Sequence, residues 1–231
     1  MVIPAFIGYD TRERDAFEVC RRSMVARSST PVHAQALRRH ALQASGLYRR
    51  YMYSEGGQYF DRHTNDAMST EFTFTRYLVP ALCQWGDWAL FCDSDFLWRG
   101  DVRELWEMRD SRYAVMVVKH DHQPDETVKM RGQVQTRYER KNWSSLILWN
   151  CAHRANQMLT PYRVNMSDKG WLHGFRWLED AEIGALSLEW NWLEGYSDPA
   201  IQPKAVHFTR GTPDMPGHAA AAFCTEWRSW L

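Results

Sequence analysis

Short apolar runs alternate with polar, charged segments over the first third of the chain. Val2 to Gly8 is an apolar run of strand length, and Val32 to Leu37 alternates weakly between apolar and polar residues. Between these two runs, from Asp15 to Arg27, apolar residues recur at helical spacing. The order strand, helix, strand predicts an α/β fold with a parallel sheet.

A second apolar stretch leads to a pair of acidic residues. Glu71 to Trp85 carries a helix-like apolar stripe, in which Pro80 requires a kink or the first turn of a new helix. Gly86 stands where the C′ residue of that helix is expected. Trp88 to Cys92 is a continuous apolar run that predicts a buried strand, and Asp93-Ser94-Asp95 follows it directly.

The second half of the chain is predicted to add further strands and one helix. Strands are expected at Tyr113 to Val118, Leu146 to Trp149 and Ala205 to Phe208, and a helix at Trp177 to Leu186. The polar segment from His120 to Lys141 is expected to be a loop over a site or a small irregular excursion. No repeat or Pro/Gly linker divides the chain, so we predict a single domain over residues 1–231.

The balance of charge excludes one class of partner. Lys and Arg together number 28, as do Asp and Glu, so the formal net charge is zero. Proteins that bind nucleic acid generally carry a basic excess, and we therefore expect no nucleic-acid partner. The Arg-rich stretch from Arg38 to Arg50 is a local exception. It has two interpretations, a solvated helix face or a dock for an anionic glycan or membrane.

The cysteines and the hydropathy pattern bear on location. The five cysteines are odd in number and lack CxxC spacing, which predicts reduced thiols and a cytoplasmic location. No secretory signal pattern opens the chain, and no apolar run approaches the ~18 residues of a membrane span. We expect no transmembrane segment, while peripheral membrane contact and the oligomeric state are left open.

Tryptophan is concentrated in one part of the chain. All 12 residues lie between Trp85 and Trp230. Core packing accounts for many of them, but indole rings also stack on sugars. Trp177, Trp190 and Trp192 are therefore candidates for an acceptor platform.

Asp93 and Asp95 have the chemistry of a metal site. In open α/β sheets ligands bind beyond the carboxyl ends of the strands, where this loop is expected. One or two carboxylates completed by substrate phosphates suit Mg²⁺, and an added imidazole favours Mn²⁺. The alternative is that these aspartates form a turn or cap a helix.

Two segments resemble a known family of enzymes. Phe74-Thr-Arg-Tyr-Leu-Val-Pro, followed by Trp88-Ala-Leu-Phe-Cys-Asp-Ser-Asp-Phe-Leu, resembles the core of the family 8 type of retaining glycosyltransferases. Those enzymes have the GT-A fold, a Rossmann-like, mostly parallel sheet flanked by helices. The resemblance extends to Val206-His207-Phe208 and the following Gly211, and to the motif Glu189-Trp190-Asn191-Trp192 near the acceptor side.

The resemblance implies roles for individual residues. Asp93, Asp95 and His207 would ligate Mn²⁺ or Mg²⁺, and the Asp93-Ser94-Asp95 loop and Arg76 would contact the donor. The expected donor contacts at the two ends of the chain are Tyr9 and Asp10 with the base and ribose, and Gly211 with the phosphates. Glu179-Asp180 stands where the family has an Asp-Gln pair, so Asp180, and then Glu179, are the candidate catalytic carboxylates.

These observations predict a metal-dependent hexosyltransferase. It would move a sugar from a nucleotide-sugar donor, expected to be a UDP-sugar, to a glycan or other acceptor with retention of configuration. Residues of about 1–120 would bind the nucleotide, and about 121–231 would form the acceptor side.

Two other functions remain as alternatives. A non-catalytic carbohydrate-binding protein would account for the tryptophans without a metal. A sugar-phosphate nucleotidyltransferase needs a Gly-rich basic loop after its first strand, where this chain has a single glycine, Gly8. A metal-dependent phosphate-ester hydrolase is the weakest alternative, because the sequence has no second Asp/His cluster for a two-metal site.

Overall fold

The computed structural model describes residues 1–121, 128–129, 133–134 and 140–231. The strands are β1 (Ile3–Gly8), β2 (Val32–Leu37), β3 (Met52–Glu55), β4 (Gln58–Asp61), β5 (Ala67–Met68), β6 (Trp88–Cys92), β7 (Phe96–Trp98), β8 (Val115–Val118), β9 (Val128–Lys129), β10 (Gln133–Val134), β11 (Leu146–Asn150), β12 (Ile183–Leu186), β13 (Trp192–Leu193) and β14 (Ala205–His207). The helices are α1 (Arg14–Arg27), α2 (Arg39–Ala44), α3 (Val79–Leu82), α4 (Val102–Glu107), α5 (Pro161–Met166), α6 (Lys169–His173) and α7 (Cys224–Arg228).

A six-stranded sheet in the order β12-β8-β11-β6-β1-β2 forms the centre of the fold. The pairs β1–β2, β1–β6 and β12–β8 are parallel, whereas β11 runs antiparallel to both β6 and β8. The sheet is therefore mostly parallel, and the predicted α/β class is confirmed. The carboxyl ends of β1 and β6 lie at the same edge of the sheet, which is the edge where open α/β sheets bind ligands.

Strand β6 lies at the centre of the sheet and is buried on both faces. Ala89 and Phe91 belong to the apolar core on one face, and Trp88, Leu90 and Cys92 to the core on the other. This assignment follows the alternation of side chains along a strand. It explains why the sequence of β6 is a continuous apolar run, as is usual for strands covered on both faces.

Three smaller sheets accompany the central one. The sheet β13-β14-β7 is formed by segments that follow β6 and segments near the end of the chain. The antiparallel ribbon β3-β4-β5 lies between α2 and the residues that lead to α3. β9 and β10 pair antiparallel within the segment expected to be a loop. Most of that segment, from His120 to Lys141, lies outside the described residues, so the prediction of a loop over a site is untested.

The helix predicted over Glu71 to Trp85 is two short elements. A 3₁₀ helix spans Thr75–Leu78, and α3 follows with Pro80 in its first turn. Proline is tolerated there because the first N–H groups of a helix have no intrahelical partner. The chain leaves α3 through positive φ angles at Gln84 and Trp85, so the expected C′ position of Gly86 is wrong.

The helix predicted over Trp177 to Leu186 is wrong. A 3₁₀ turn spans Asp180–Glu182, and β12 then pairs in parallel with β8. Gly184 is disfavoured in a helix by roughly 1 kcal/mol relative to alanine. In β12 it fits against the ring of Tyr113, where an added Cβ would lie 2.6 Å from Cδ2. Pairing at the sheet edge therefore outweighs the helical spacing of the apolar residues.

The tryptophans proposed as an acceptor platform are core residues. Trp177, Trp190 and Trp192 are all buried, so their rings are not available as an exposed platform for a sugar. The indole of Trp177 stacks on Trp149 at 6.2 Å between ring centroids and donates a hydrogen bond to Asn156. The five cysteines are free thiols. Among the described residues, we find no helix with the length and apolarity needed to cross a membrane.

Candidate metal and donor site

The loop after β6 carries Asp93 and Asp95 and is anchored by its backbone. The N–H of Asp93 donates to the carbonyl of Ser145 at 2.9 Å, and the carbonyl of Asp95 accepts from the N–H of Phe208 at 3.0 Å. These bonds join the loop to a 3₁₀ turn (Trp143–Ser145) and to the residues after β14. The two carboxylates are thus held where three distant segments meet.

His207 reaches this loop through strand pairing. β14 runs antiparallel to β7 with His207 opposite Phe96, and the two rings stack at 4.6 Å between centroids. The Nε2 atom of His207 lies 3.4 Å from Oδ2 of Asp95. One ligand atom from each of Asp93, Asp95 and His207 lies within 4.8 Å of the others. The residues that the sequence predicted as metal ligands are therefore brought together in the fold.

Asn191 fixes the orientation of the imidazole. Its Oδ1 lies 2.9 Å from Nδ1 of His207, while its Nδ2 donates to Ser145 Oγ and to the carbonyl of Asn142. Ser145 Oγ in turn donates to the carbonyl of Asn142. Because the amide nitrogen of Asn191 is occupied as a donor, Oδ1 must accept, and His207 must carry its proton on Nδ1. In the neutral imidazole the lone pair is then on Nε2, which lies beside Asp95 and is available to a cation.

Arg76 supplies positive charge beside the carboxylates. It lies in the 3₁₀ helix before α3, and its side chain is buried. One guanidinium nitrogen lies 2.7 Å from Oδ1 of Asp93 and donates to the carbonyl of Ser144 at 2.7 Å. Arg76 therefore lies beside the acidic loop, and its contact with the donor remains a prediction.

A cavity of about 80 Å³ opens beside these residues. Its walls include Arg76, both aspartates and His207, together with the basic side chains Lys141, Lys169 and His173. Lys169 donates to the carbonyl of Ala67 at 2.7 Å. The cavity therefore joins two carboxylates to several cationic side chains, an arrangement suited to a metal–phosphate pair.

His173 is a neutral hydrogen-bonding group in this wall. Burial, and then the charges of Arg76 and Lys169, lower the pKa of His173 well below its usual value. Nε2 lies 3.2 Å from the carbonyl of Thr73 and therefore carries the proton. Nδ1 then accepts from Ser144 Oγ at 2.9 Å.

Ser94 faces away from the cavity. It is fully buried, and its Oγ donates to Oε2 of Glu13 at 3.0 Å. Burial, and then the charges of Asp10 and Asp95, raise the pKa of Glu13 to about 8. A neutral Glu13 therefore lies behind the acidic loop, and Ser94 connects the two.

The other predicted donor contacts lie outside the cavity wall. The Asp10 carboxylate accepts from the guanidinium of Arg12 at 2.8 and 3.0 Å, and from the N–H of Glu71 at 3.1 Å. The ring of Tyr9 is covered by the guanidinium of Arg38 at 3.7 Å. Contact of either residue with a base or ribose remains a prediction.

Gly211 does not line the cavity. In the segment after β14, the cavity wall is formed by Thr209, two residues before it. The φ of 146° at Gly211 and the close approach of His218, whose Cδ2 would lie 2.8 Å from an added Cβ, explain why glycine stands there. A contact between Gly211 and phosphate remains a prediction.

Glu179 and Asp180 are not brought into the cavity. The side chain of Asp180 is 88% exposed and forms an ion pair with Arg140. Glu179 is exposed, and its N–H donates to the Glu182 carboxylate at 2.9 Å across the 3₁₀ turn. The catalytic assignment assumed a helix in this region, and the turn that forms instead directs both carboxylates to solvent. Their position does not support a catalytic role.

Several residues at the site were not predicted from the sequence. Lys169 and His173 lie four residues apart on α6, so they lie on one face of the helix. The N-cap Asp168 accepts a hydrogen bond from the N–H of Trp171 at 2.6 Å. The cap residue and the i, i+4 spacing are both visible in the sequence and could have predicted these two residues. Glu13 carries no comparable local signal, and the resemblance placed Asn191, within Glu189-Trp190-Asn191-Trp192, near the acceptor side rather than beside His207. Each acts through a partner that only the folded chain brings to it.

Comparison with known proteins places the chain in a family. It is 45% identical over 227 residues to Protein CDI of Arabidopsis thaliana, which covers 96% of this chain and 83% of the relative. The chain belongs to the Protein CDI family. No family model matches it.

Solved structures show which fold the Protein CDI family has. The apo-form glycosyltransferase GlyE of Streptococcus pneumoniae TIGR4 aligns with a TM-score of 0.61 at 12% identity and covers 100% of this chain. The galactosyltransferase LgtC, solved with donor and acceptor sugar analogs, gives 0.55 at 12% identity, covering 99% of this chain and 95% of its own. Mouse xyloside xylosyltransferase 1 gives 0.55 at 10% identity, covering 94% and 99%.

The length of the match differs among these structures. This chain spans 60% of the GlyE chain, and 52% of the bifunctional glycosyltransferase WbbM, which it matches with a TM-score of 0.58. At 10% to 14% identity the likeness shows the fold alone. That fold is GT-A, as the sequence predicted.

Proposed function

We propose that this chain is a metal-dependent glycosyltransferase that uses a nucleotide-sugar donor, expected to be a UDP-sugar. The observation that carries the proposal is the cluster of Asp93, Asp95 and His207 at the carboxyl end of β6 in a GT-A fold, with ligand atoms within 4.8 Å of one another. The glycosyltransferases among the structural relatives add support.

The donor set fits a divalent cation. Two carboxylates and an imidazole whose Nε2 is unprotonated are suitable ligands for Mn²⁺, and less so for Mg²⁺, which prefers oxygen. Asp93, Asp95 and His207 would hold the ion, and Asn191 would keep His207 in the ligating tautomer. When bound, such a cation neutralises charge on a diphosphate leaving group as a Lewis acid.

The basic residues of the cavity would bind the phosphates of the donor. Arg76, Lys141 and Lys169 line the cavity beside the acidic loop. Pockets that enclose a whole ligand measure roughly 300–1,000 Å³. At about 80 Å³ this cavity holds only part of a donor. The nucleoside would therefore extend along the carboxyl ends of the strands towards Tyr9 and Asp10, as in other open α/β sheets.

We further propose that residues 1–231 act as one domain, with donor binding in about 1–120 and the acceptor side in about 121–231. The free cysteines support the expected cytoplasmic location. Trp177, Trp190 and Trp192 are buried, which weakens the case for a non-catalytic sugar-binding protein.

Retention of configuration would follow if the acceptor attacks the sugar on the same face from which the leaving group departs. Among the described residues that line the cavity, the only carboxylates are Asp93 and Asp95, which are assigned to the cation. No further cavity carboxylate is present in that part of the chain to form a glycosyl–enzyme intermediate of the kind retaining glycosidases use. The negative charge of the departing diphosphate, held by Arg76 and the lysines, would then stabilise the oxocarbenium-like centre. The acceptor oxygen would bond to the anomeric carbon on that same face as the bond to the diphosphate breaks, and its proton would pass to the diphosphate.

Thermal unfolding tests the donor site directly. The protein would be heated with UDP, GDP or CDP, each with and without Mn²⁺. A ligand at 100 times its Kd stabilises the native state by about 2.7 kcal/mol, or roughly 5–10 °C for a chain of this size. We expect a shift that needs both UDP and Mn²⁺.

Asp95→Asn should abolish this shift, whereas Asp110→Asn should keep it. Asp110 is a matched control, because its carboxylate forms a surface ion pair with Arg112. Release of UDP from a panel of UDP-sugars would then identify the donor. A transition that no nucleotide moves under any metal condition would refute the proposed donor site.

A further inference from the structure

A second and larger cleft lies beside α5. Its volume is about 460 Å³. Its walls include six residues with charged, aromatic or long apolar side chains: Arg49, Tyr51, Arg62, His63, Tyr162 and Met166. They come from the connection between α2 and β3, the turn between β4 and β5, and α5. The size is that of a binding pocket for a ligand of several rings.

The cleft is cationic. The side chains of Arg49 and Arg62 are exposed. Among the described residues that line it, we find no acidic side chain. The nearby carboxylate of Asp61 is already paired with the guanidinium of Arg50 at 2.8 and 3.0 Å, and each of these two side chains is 1% exposed. Asp61 therefore does not neutralise the arginines that face solvent.

The walls of the cleft are held by buried hydrogen bonds. Arg50 donates to the carbonyls of Asn165 and Ser167 at 2.7 and 2.8 Å, which ties the β-ribbon to the end of α5. The N–H of Arg49 donates to Oδ1 of Asn165 at 2.6 Å. The cationic side chains therefore project from a preorganised backbone, which lowers the entropy that a ligand must remove.

The cleft also presents flat aromatic rings to solvent. Tyr51 is 67% exposed and Tyr162 is 76% exposed, and in the described part of the chain these are the two most exposed aromatic side chains. Buried tryptophans fill the core, so the exposed aromatic surface is concentrated here. An aromatic face is electron-rich and attracts the C–H face of a pyranose ring.

We propose that this cleft binds an acidic oligosaccharide, with carboxylates held by Arg49 and Arg62 and pyranose rings packed on Tyr51 and Tyr162. Arg binds carboxylates with two parallel hydrogen bonds, which gives the cleft a preference for uronate over neutral sugar. A concave pocket with a bounded volume fits a glycan segment, whereas a membrane surface is engaged by a convex or flat patch. Arg49 follows α2 and Arg62 follows β4, and binding of a glycan to these residues does not depend on the proposed sugar transfer.

The placement of the cleft connects it to the first site. Residues 161–173 supply Tyr162 and Met166 to this cleft and Lys169 and His173 to the Asp–His cavity. The turn between β4 and β5 supplies Arg62 and His63 to the cleft, whereas Ser69 and Thr70, which follow β5, line the cavity. A glycan in the cleft would therefore contact segments that shortly precede, along the chain, the segments that line the cavity.

Isothermal titration of the whole chain with tetragalacturonic acid tests the proposal, with cellotetraose as the neutral probe. We expect binding of the acidic tetrasaccharide that weakens between low salt and about 0.15 M salt, and binding of cellotetraose at least about tenfold weaker. The double variant Arg49→Ala, Arg62→Ala should lose affinity about tenfold or more, and Tyr162→Ala should also weaken binding.

Arg163→Ala is the matched control. Arg163 is an exposed arginine next to Tyr162 on α5, but it does not line the cleft. This variant should bind as the unchanged protein does. No binding of tetragalacturonic acid, equal binding of cellotetraose, or binding that the double variant leaves intact would overturn the proposal. The proposal would also be overturned if the protein bound phosphatidylserine vesicles through Arg49 and Arg62 but did not bind tetragalacturonic acid. The UDP and Mn²⁺ thermal shift of the same variants reports the donor site separately and should be unchanged.

Discussion

Asn191 holds the ring of His207, and its replacement tests how the Asp–His cluster is built. Asn191→Leu keeps the size of the side chain and removes the only part of it that accepts from Nδ1–H, at 2.9 Å. With no acceptor on that side, the imidazole would place its proton on Nε2, which lies 3.4 Å from Oδ2 of Asp95. The nitrogen proposed to ligate the cation would then be a donor to Asp95.

The expected size of this effect follows from metal sites in general. Loss of a residue that orients a metal ligand commonly weakens metal binding 10- to 100-fold, or about 1.4–2.7 kcal/mol. Mn²⁺ affinity would be measured from the electron paramagnetic resonance signal of the free ion, without nucleotide. We expect the Kd for Mn²⁺ of Asn191→Leu to rise by that factor. The variant should also be less stable, because a buried polar group that loses its partner costs ~1–3 kcal/mol.

Asn156→Leu separates metal binding from stability. Asn156 is also fully buried, donates to the carbonyls of Ala114 and Asn150, and accepts from the indole of Trp177. It does not line the cavity. We expect this variant to lose stability to a similar degree and to keep its affinity for Mn²⁺. An Asn191→Leu protein that binds Mn²⁺ as tightly as the unchanged protein would refute the tautomer argument.

Two further substitutions test buried charge. The pKa of Glu13 is raised from 4.5 to about 8 by burial and then by Asp10 and Asp95, so its contribution to stability is complete below pH 4.5 and is lost as the pH rises through about 8. Glu13→Gln should therefore gain about 3 kcal/mol of stability relative to the unchanged protein as the pH rises from 6 to 9, measured by urea denaturation with EDTA; a pH-independent difference would contradict this. Arg50→Met leaves the Asp61 carboxylate buried without its ion-pair partner and should lower the free energy of unfolding by about 3–5 kcal/mol, against less than ~0.5 kcal/mol for the same change at an exposed arginine such as Arg163.

The elements predicted well are those whose sequence signal is local. The helix before β2, the strands β1, β2 and β6, and the position of Asp93 and Asp95 at a strand end follow from apolar runs and spacing. A strand buried on both faces needs apolar side chains at every position, and this is visible in the sequence of β6 alone. Pairing of His207 with the aspartates was expected only through family resemblance, and the fold achieves it by joining β14 to β7.

Errors arose where a local pattern was compatible with two structures. Apolar spacing from Trp177 to Leu186 suits a helix. In the fold, however, Ile183–Leu186 form β12, which hydrogen-bonds to the edge of β8 that β11 does not occupy. In the same region the family resemblance had made Asp180 a catalytic candidate, whereas its side chain faces solvent. The aromatic residues show the same limit, because sequence cannot distinguish a tryptophan that fills the core from a tyrosine that faces a cleft.

Composition alone determined the balance of charge. Residue order determined the α/β class and the acidic loop at a strand end, since both depend on neighbours along the chain. The tertiary structure alone decided that Asn191 orients His207, that Glu13 lies behind Ser94, and that two arginines and two tyrosines share one cleft. These arrangements join groups from segments distant in sequence. Hydrogen bonds, burial and electrostatic fields act through space, so their effects on a tautomer or a pKa appear only once the chain has folded.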